Sequence, residues 1–352
     1  MRFELIDSVK FTERKICNRC ILPETSAGIW LNSDGICSVC LDFDKNKELE
    51  EGQKLHETDL VNLLNRYRGK GQYDVLAMCS GGKDSTSALY YMVKKYKMKV
   101  LAFTFDNGFE TEEALRNVKM ATDKLGCDFL YYKTDYMKNM YSNILKSESK
   151  AVICHPCSIW YINLSYETAA KYNIPLIVAG WTKGQSNKQE VMSKCGCNVN
   201  QPEFKKMSDA SQDFFDKFLV KNEQYKNFPR TMAEVLKRAK KKHKSLVISP
   251  HWFLPTKTDE YVKTIQTELG WNFPKLSYPG KSTNCTLNFI SVHNSMKYFG
   301  YTHYHVEMSK MIRNGLISRE DALNDLEIKF DYNLLNGIAK KLDYQFEKEI
   351  KP

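Results

Sequence analysis

A chain of 352 residues can bury one large core with a smaller unit beside it, and 42% hydrophobic against 27% charged residues is ordinary for a soluble globular protein. No uncharged apolar run approaches the roughly 18 residues of a membrane span, and residues 1–7 lack an apolar signal core, which argues for a cytoplasmic location. The net charge is +10, densest at Lys237, Arg238, Lys240, Lys241, Lys242 and Lys244. That run reads first as a solvated helix face, and otherwise as a contact for tRNA or an attraction for an anionic substrate and ATP.

Residues 1–45 are short segments broken by Pro23, Gly28 and Gly35, without the apolar periodicity that builds a core. They carry Cys17-Asn18-Arg19-Cys20 and Cys37-Ser38-Val39-Cys40, two CxxC units separated by sixteen residues. Each unit can form a tight knuckle with two thiolates, and the Asp34-Gly35 turn returns the chain in time to close a tetrahedral site. Cys17, Cys20, Cys37 and Cys40 are therefore the candidate ligands of a zinc ion. Four protein ligands leave no open position, so this metal is structural and supplies what a core cannot. Residues 46–70 read as a polar linker entering a short helix that includes Leu60, Leu63, Leu64 and Tyr67.

From Tyr73 onward strands and helices alternate. The pattern predicts strands at 75–79, 99–105, 127–132, 175–179 and 245–249. Helices are predicted at 85–97, 111–125, 136–145, 157–171 and 263–269, with helical pieces at 214–219 and 232–239. A helical tail reaches about residue 346, and within it Ser318 is a plausible N-cap with Asp321 at the third helical position. The expected fold is α/β, a parallel sheet with helices on both faces and ligands at the carboxyl ends of its strands. The division expected is a zinc-ribbon-like unit at 1–50, a nucleotide domain at 51–250, and a C-terminal substrate or partner region at 251–352.

The first strand runs straight into Ser80-Gly81-Gly82-Lys83-Asp84-Ser85 and then a helix. Paired glycines let backbone N–H groups turn toward one point, and the helix adds its positive N-terminal end. Lys83 and the hydroxyls of Ser80 and Ser85 add charge and donors, completing a pocket for a polyphosphate. Asp106 and Gly180 also fall at the carboxyl ends of strands and join the candidate nucleotide site. The spacing is not the Walker A pattern, so the usual kinase and GTPase readings fail. The loop resembles the PP-loop of the ATP pyrophosphatases, which release pyrophosphate and leave AMP on an oxygen of the substrate.

A second set of cysteines is open to two readings. Cys154-His155-Pro156-Cys157 opens a helix and Cys285 ends Lys281-Ser282-Thr283-Asn284-Cys285. Three thiolates without a fourth protein ligand could hold an iron–sulfur cluster, as in some PP-loop thiolation enzymes, and Cys195 and Cys197 could contribute instead. The plain alternative is that Cys154 and Cys157 are packing residues at a helix start and Cys285 an isolated core thiol. Cys79 and Cys127, inside apolar strands, are core residues.

Over nearly its whole length the chain resembles the N-acetyl sugar amidotransferases, PP-loop enzymes of surface-polysaccharide and nonulosonic-acid biosynthesis. The resemblance rests on Cys17 through Thr25, on Asp34 through Cys40, on the SGGKDS loop, on Lys281–Cys285 and on Asn314 through Ala322. Trp181-Thr182-Lys183-Gly184 stands as a candidate departure from the family pattern. The resemblance implies conversion of a sugar acetamido group to an acetamidino group in lipopolysaccharide, capsule or flagellar glycan synthesis. ATP would adenylate the amide oxygen and ammonia would then displace AMP. Gly81, Gly82 and Ser85 would hold the leaving pyrophosphate, Lys83 would neutralise developing charge, and Asp84 or Asp106 would help place Mg²⁺. Lys83 and Asp84 are the residues expected to carry catalysis. Ammonia would come from a glutaminase partner resembling the glutaminase and cyclase pair of imidazole-glycerol-phosphate synthase. A tRNA 2-thiolation enzyme of the same superfamily is the rival, with identical adenylation, a base carbonyl as acceptor and sulfur as the incoming atom. A non-catalytic zinc-ribbon binding module with a degenerate nucleotide fold is the third reading, against which the intact SGGKDS argues.

Overall fold

Short apolar runs without polar alternation make strands that are buried on both faces. The computed structural model describes residues 15–25, 28–51, 55–183, 185, 202–242, 244–255, 257–280, 284–328 and 330–346. Residues 1–7, Gly184, Cys195, Cys197 and Lys281 to Thr283, all named above, lie outside the described residues.

Five strands form one parallel sheet: β1 (Val75–Met78), β2 (Val100–Asp106), β3 (Asp128–Lys133), β4 (Leu176–Val178) and β5 (Leu246–Ile248). Their order is β3-β2-β1-β4-β5, so the chain winds outward from β1 on one side and then returns to its other side. The crevice between β1 and β4 is the switch point, where such sheets bind ligands beyond the strands' carboxyl ends. β1 and β2 are buried throughout, whereas the edge strand β3 is largely exposed.

The helices are α1 (Ser38–Glu51), α2 (Glu57–Tyr67), α3 (Lys83–Tyr90), α4 (Glu112–Leu125), α5 (Lys138–Lys146), α6 (His155–Lys171), α7 (Pro202–Phe218), α8 (Met232–Lys242) and α9 (Thr258–Leu269). The C-terminal part adds α10 (Leu287–Phe299), α11 (His303–Arg313), α12 (Arg319–Leu326) and α13 (Tyr332–Ala339). Period-two alternation along β1 divides the core into two. Val75, Ala77 and Cys79 pack with Leu60 and Leu64 of α2, Leu89 of α3, Val118 of α4 and Ile265 of α9. Leu76 sits in the opposite cluster with Ile144, Ile159, Ala169, Leu236 and Leu287.

The sheet is the one the alternation predicts, with ends shifted by a residue or two. The first crossover helix starts at Lys83 and not at Ser85, because Gly82 in extended backbone serves as its N-cap. It ends at Tyr90, and a π-turn at Tyr91–Lys95 completes the predicted segment. The linker expected from residue 46 is helical to Glu51, continuing α1 out of the second knuckle. The piece expected at 214–219 is the end of the 17-residue α7.

The N-terminal knuckles pack against the C-terminal helices. Leu22 and Ile29 are buried with Met207 of α7, with Tyr301 just before α11 and with Val306 within it. Ile21 N donates to Ser309 Oγ at 3.3 Å, and Arg319 Nε reaches the carbonyls of Cys20 and Cys17 at 2.9 and 3.3 Å. The two segments that carry the family resemblance at opposite ends of the sequence are thus neighbours in space.

Candidate active site and metal centre

The glycine loop is held open by contacts that only glycine allows. Gly81 has φ +79°, and a Cβ there would lie 2.1 Å from the carbonyl oxygen of Ala114. Its own carbonyl accepts from Trp271 Nε1 at 2.8 Å and Asn117 Nδ2 at 3.3 Å, which fixes the turn from behind. Gly180, just past β4, approaches α3 so closely that a Cβ would meet Ser85 N at 2.4 Å. Inside the loop Ser85 Oγ lies 3.1 Å from Ser80 Oγ and accepts from Ser80 N at 3.2 Å, while Asn284 Nδ2 donates to Ser80 Oγ at 3.3 Å. No side chain caps α3, which leaves the N–H groups of its first turn free to meet an anion at the switch point.

Lys83 and Asp84 follow the loop as a close pair, Lys83 Nζ donating to Asp84 Oδ2 at 2.6 Å. Tyr261 of α9 donates to Asp84 Oδ1 at 2.5 Å, and burial together with the Asp84 charge pushes its phenol far above the ordinary range, so it remains a donor. His251 Nε2 lies 3.0 Å from the Asp84 carbonyl oxygen and 3.2 Å from Ser87 Oγ. Burial lowers the pKa of His251 against the pull of Asp84, which keeps the ring mostly neutral at pH 7. Each Asp84 oxygen retains a second lone pair, so the carboxylate can still face a cation. Asp106 differs. Its Oδ1 accepts from Gly108 N at 2.7 Å and its Oδ2 from Tyr131 OH at 2.5 Å, and only 3% of its side chain is exposed. It fits the role of fixing the turn after β2 better than that of reaching a metal ion.

Beyond that turn Cys154, Cys157 and Cys285 are half-buried, and their thiols do not all gather within 4.8 Å of one another as the knuckle thiols do. Backbone bonds Thr111 N to Asn284 O (2.9 Å) and Thr286 N to Phe109 O (2.8 Å) tie Cys285 opposite Glu110. Asn107 Nδ2 lies 3.2 Å from Cys157 Sγ and 3.8 Å from Cys285 Sγ, spanning the two. Burial pushes the thiols up, Cys154 to about 12 and Cys157 to about 11. Glu110 is pushed up to about 8 by burial and the nearby Asp106, and its Oε2 has no hydrogen-bond partner among the described residues. Cys79 and Cys127 sit in or beside the sheet core, Cys79 buried and Cys127 partly so.

The four knuckle cysteines are all buried, and among the described residues only they bring their ligand atoms within 4.8 Å of one another. Cys20 Sγ and Cys37 Sγ are 3.7 Å apart, and Cys17 Sγ and Cys40 Sγ 3.9 Å. Thiolates bound at about 2.3 Å at tetrahedral angles stand about 3.8 Å apart, so the donor set fits a single four-coordinate ion.

His251, Tyr261, Asn107 and Glu110 were not singled out by the sequence, and Asn284 only as part of a motif. Lone polar residues between apolar runs carry no periodicity or spacing that separates them from ordinary satisfied core groups. A hollow of about 380 Å³ lined by Tyr73, Lys99 and Asp128 lies at the amino ends of β1 to β3, the opposite end of the sheet from this chemistry.

A glycine loop at the switch point of a five-stranded parallel sheet with helices defines an α/β fold of PP-loop type. Residues 74–223 match the family model of QueC, queuosine biosynthesis protein QueC, which supports the PP-loop ATP pyrophosphatase superfamily for this segment. The chain is 23% identical over 315 residues to the uncharacterized protein MJ1599 of Methanocaldococcus jannaschii, covering 88% of this chain and 92% of that one. Among solved structures it is similar to the U34-tRNA thiolase NcsA from Methanococcus maripaludis with its [4Fe-4S] cluster (16% identity, 96% of this chain and 99% of that one, TM-score 0.36). It is also similar to NMN synthetase from Francisella tularensis (13% identity, 82% and 95%, TM-score 0.39). Likenesses at these scores carry no argument about activity. No described helix is long and apolar enough to cross a membrane.

Proposed function

We propose that this chain is an ATP-dependent amidotransferase that converts the N-acetyl group of a sugar to an acetamidino group. The observation that supports it most is the uncapped start of α3 behind Gly81 and Gly82, with Lys83 beside it, at the sheet's switch point. Such a loop suits a leaving pyrophosphate, so cleavage falls between the first and second phosphoryl groups. The amide oxygen attacks the α-phosphorus, the bond to pyrophosphate breaks, and an O-adenylated imidate forms. Lys83 balances the charge that develops on pyrophosphate, and Asp84, oriented by Tyr261, is the residue better placed to help hold Mg²⁺. Ammonia then attacks the imidate carbon and AMP departs.

The sugar acceptor is favoured by the family resemblance, whose two distant motifs meet where Arg319 grips the first knuckle. Zinc is the ion assigned to Cys17, Cys20, Cys37 and Cys40, with a structural role. Ammonia is assigned to a separate glutaminase and cyclase-like partner. Incubating the protein with ATP, ammonium and a panel of acetamido sugars should yield AMP, pyrophosphate and an amidine found by mass. ADP and orthophosphate as sole products would refute the reading. One observation bears on the thiolation alternative: the half-buried Cys157 and Cys285 both approach Asn107 in the turn after β2, with Cys154 near enough for its charge to act on Cys285. A brown protein with iron absorption that copurifies with tRNA would decide for it, and a colourless one that makes amidine against it.

A further inference from the structure

Glu307 stands in the site without a role in what has been described. It belongs to α11 in the C-terminal region, yet its carboxylate lies at the carboxyl end of the sheet, where Thr182 Oγ1, two residues past Gly180, donates to Oε1 at 3.5 Å. The charges of Lys83 and Asp84 both act on it, and Gln185 also bonds to it. Tyr304, one turn back on the same helix, is also coupled to it, and its phenol is raised well above its ordinary range and stays neutral. His303 on α11 is pushed down to about 4 by burial and is also neutral near pH 7.

A carboxylate here is costly beside a nucleotide. It repels phosphate, and Lys83 is already paired with Asp84. A carboxyl group next to a polyphosphate earns its place by handling a cation or a proton. Burial, offset in part by Lys83 and reinforced by Asp84, pushes Glu307 up to about 7, where it can both accept and release one. It also approaches from the helical side and not from the phosphate loop, the side left for the acceptor and the incoming nucleophile.

We propose that Glu307 is the catalytic base of the second half-reaction, taking the proton that the attacking nitrogen sheds; this rests on the amidotransferase reading. Neutral ammonia forms the C–N bond to the carbon of the N-protonated, O-adenylated imidate. The adduct nitrogen is then an ammonium group, and Glu307 takes one of its protons. The C–O bond breaks, its electron pair leaves on the phosphate oxygen of AMP, and an amidinium remains.

The test compares the native protein with Glu307→Gln and Glu307→Asp at added ammonium salt, from about pH 5.5 to 9, with rates expressed per free ammonia. Pyrophosphate exchange into ATP, measured with the acetamido sugar present, reads adenylation separately. Glu307→Gln should keep exchange within about twofold but lose about 10²-fold or more in amidine formation, with the acid limb of the native profile gone. Glu307→Asp should restore part of the rate and the limb. A Glu307→Gln protein with the native rate and profile overturns the proposal, as does loss of exchange and amidine formation in equal measure, which marks a structural residue. If the native protein makes no amidine with any acetamido sugar, the reading of the reaction fails and this role fails with it.

Discussion

Replacing Gly180 with alanine tests whether the β4 end and the phosphate loop act as one unit. The new Cβ would lie 2.4 Å from Ser85 N, 2.5 Å from Ser85 Cα and 2.6 Å from the Asp84 carbonyl carbon. Ordinary contact begins at 3.4 Å, so the two backbones must part by 3.4 − 2.4 = 1.0 Å. No side chain can rotate away to relieve this, because every atom met is backbone. Overpacking of this kind costs about 1–3 kcal/mol, a fall in melting temperature of several degrees in a chain of this size. The effect on chemistry should be larger than on stability. A 1 Å displacement of groups that position a reacting centre costs on the order of 10²-fold in rate, and Asp84 and Ser85 are the groups displaced. Gly180→Ala should therefore melt a few degrees lower while its ATP–pyrophosphate exchange falls about a hundredfold. Gly280→Ala is the control, since a Cβ there meets nothing within 4 Å among the described residues and its backbone is not left-handed. Native exchange by Gly180→Ala would show that the loop does not depend on this contact, and the site as built here would be wrong.

Cys17→Ser should lower bound metal from about one ion per chain to near none by elemental analysis, and should lower the melting temperature. Retention of both would remove the knuckle from the account. Tyr261→Phe deletes the donor to Asp84 Oδ1, and hydrogen bonds to charged groups are worth about 1.5–3 kcal/mol, so AMP formation should fall roughly ten- to a hundredfold with the fold intact. Asp84→Ala should abolish it, and full turnover by either variant would refute the role given to Asp84. The acid stability limb has a defined sign. His303 is pushed down to about 4 from 6.5 by burial, so as pH falls the unfolded chain takes the proton first. The stabilisation it contributes is complete above about pH 6.5, drains away toward pH 4 and stays lost below. His303→Asn should make that decline shallower in urea melts but not flat, because His155 is pushed down in the same way. An unchanged slope would show that His303 is protonated in the folded state.

The sheet was legible because each strand is a short apolar run and each crossover ends at a glycine or a polar turn, as at Asp106-Asn107-Gly108. The glycine turn and the helix start behind it were legible for the same local reason, since both lie in six consecutive residues. The knuckles were legible by spacing. The C-terminal region was legible in part, since Ser318 caps α12 and accepts from Asp321 N as read, but α10 and α11 were missed as separate helices. Both bury polar residues, Ser291, Asn294 and Ser295 in one and Ser309 in the other, which erases the apolar stripe by which a helix is recognised. The partners of Asp84 were hidden by distance, because Tyr261 lies 177 residues away and nothing local marks it. Glu307 in His303-Tyr304-His305-Val306-Glu307 looks from sequence like any solvated helix position.

The position of α11 predicts that a metal held by the four knuckle cysteines would bear on chemistry it never touches. Val306 is buried in the knuckle cluster and Ser309 accepts from Ile21 N, so these two positions, three residues apart, present one face of the helix to the metal centre. Glu307 is one residue on from Val306, about 100° around the same helix, and meets Thr182 at the carboxyl end of the sheet. Arg319, at the start of α12, holds the carbonyls of Cys17 and Cys20, which locks the other end of this packing. The angle at which α11 approaches the phosphate loop is therefore set by knuckles at residues 17–40, and removing their ion releases the helix that carries Glu307. Loss of metal should then depress amidine formation more than pyrophosphate exchange, because the loop is held by Trp271, by Asn117 of α4 and by Tyr261 of α9, none of which belongs to the knuckle cluster.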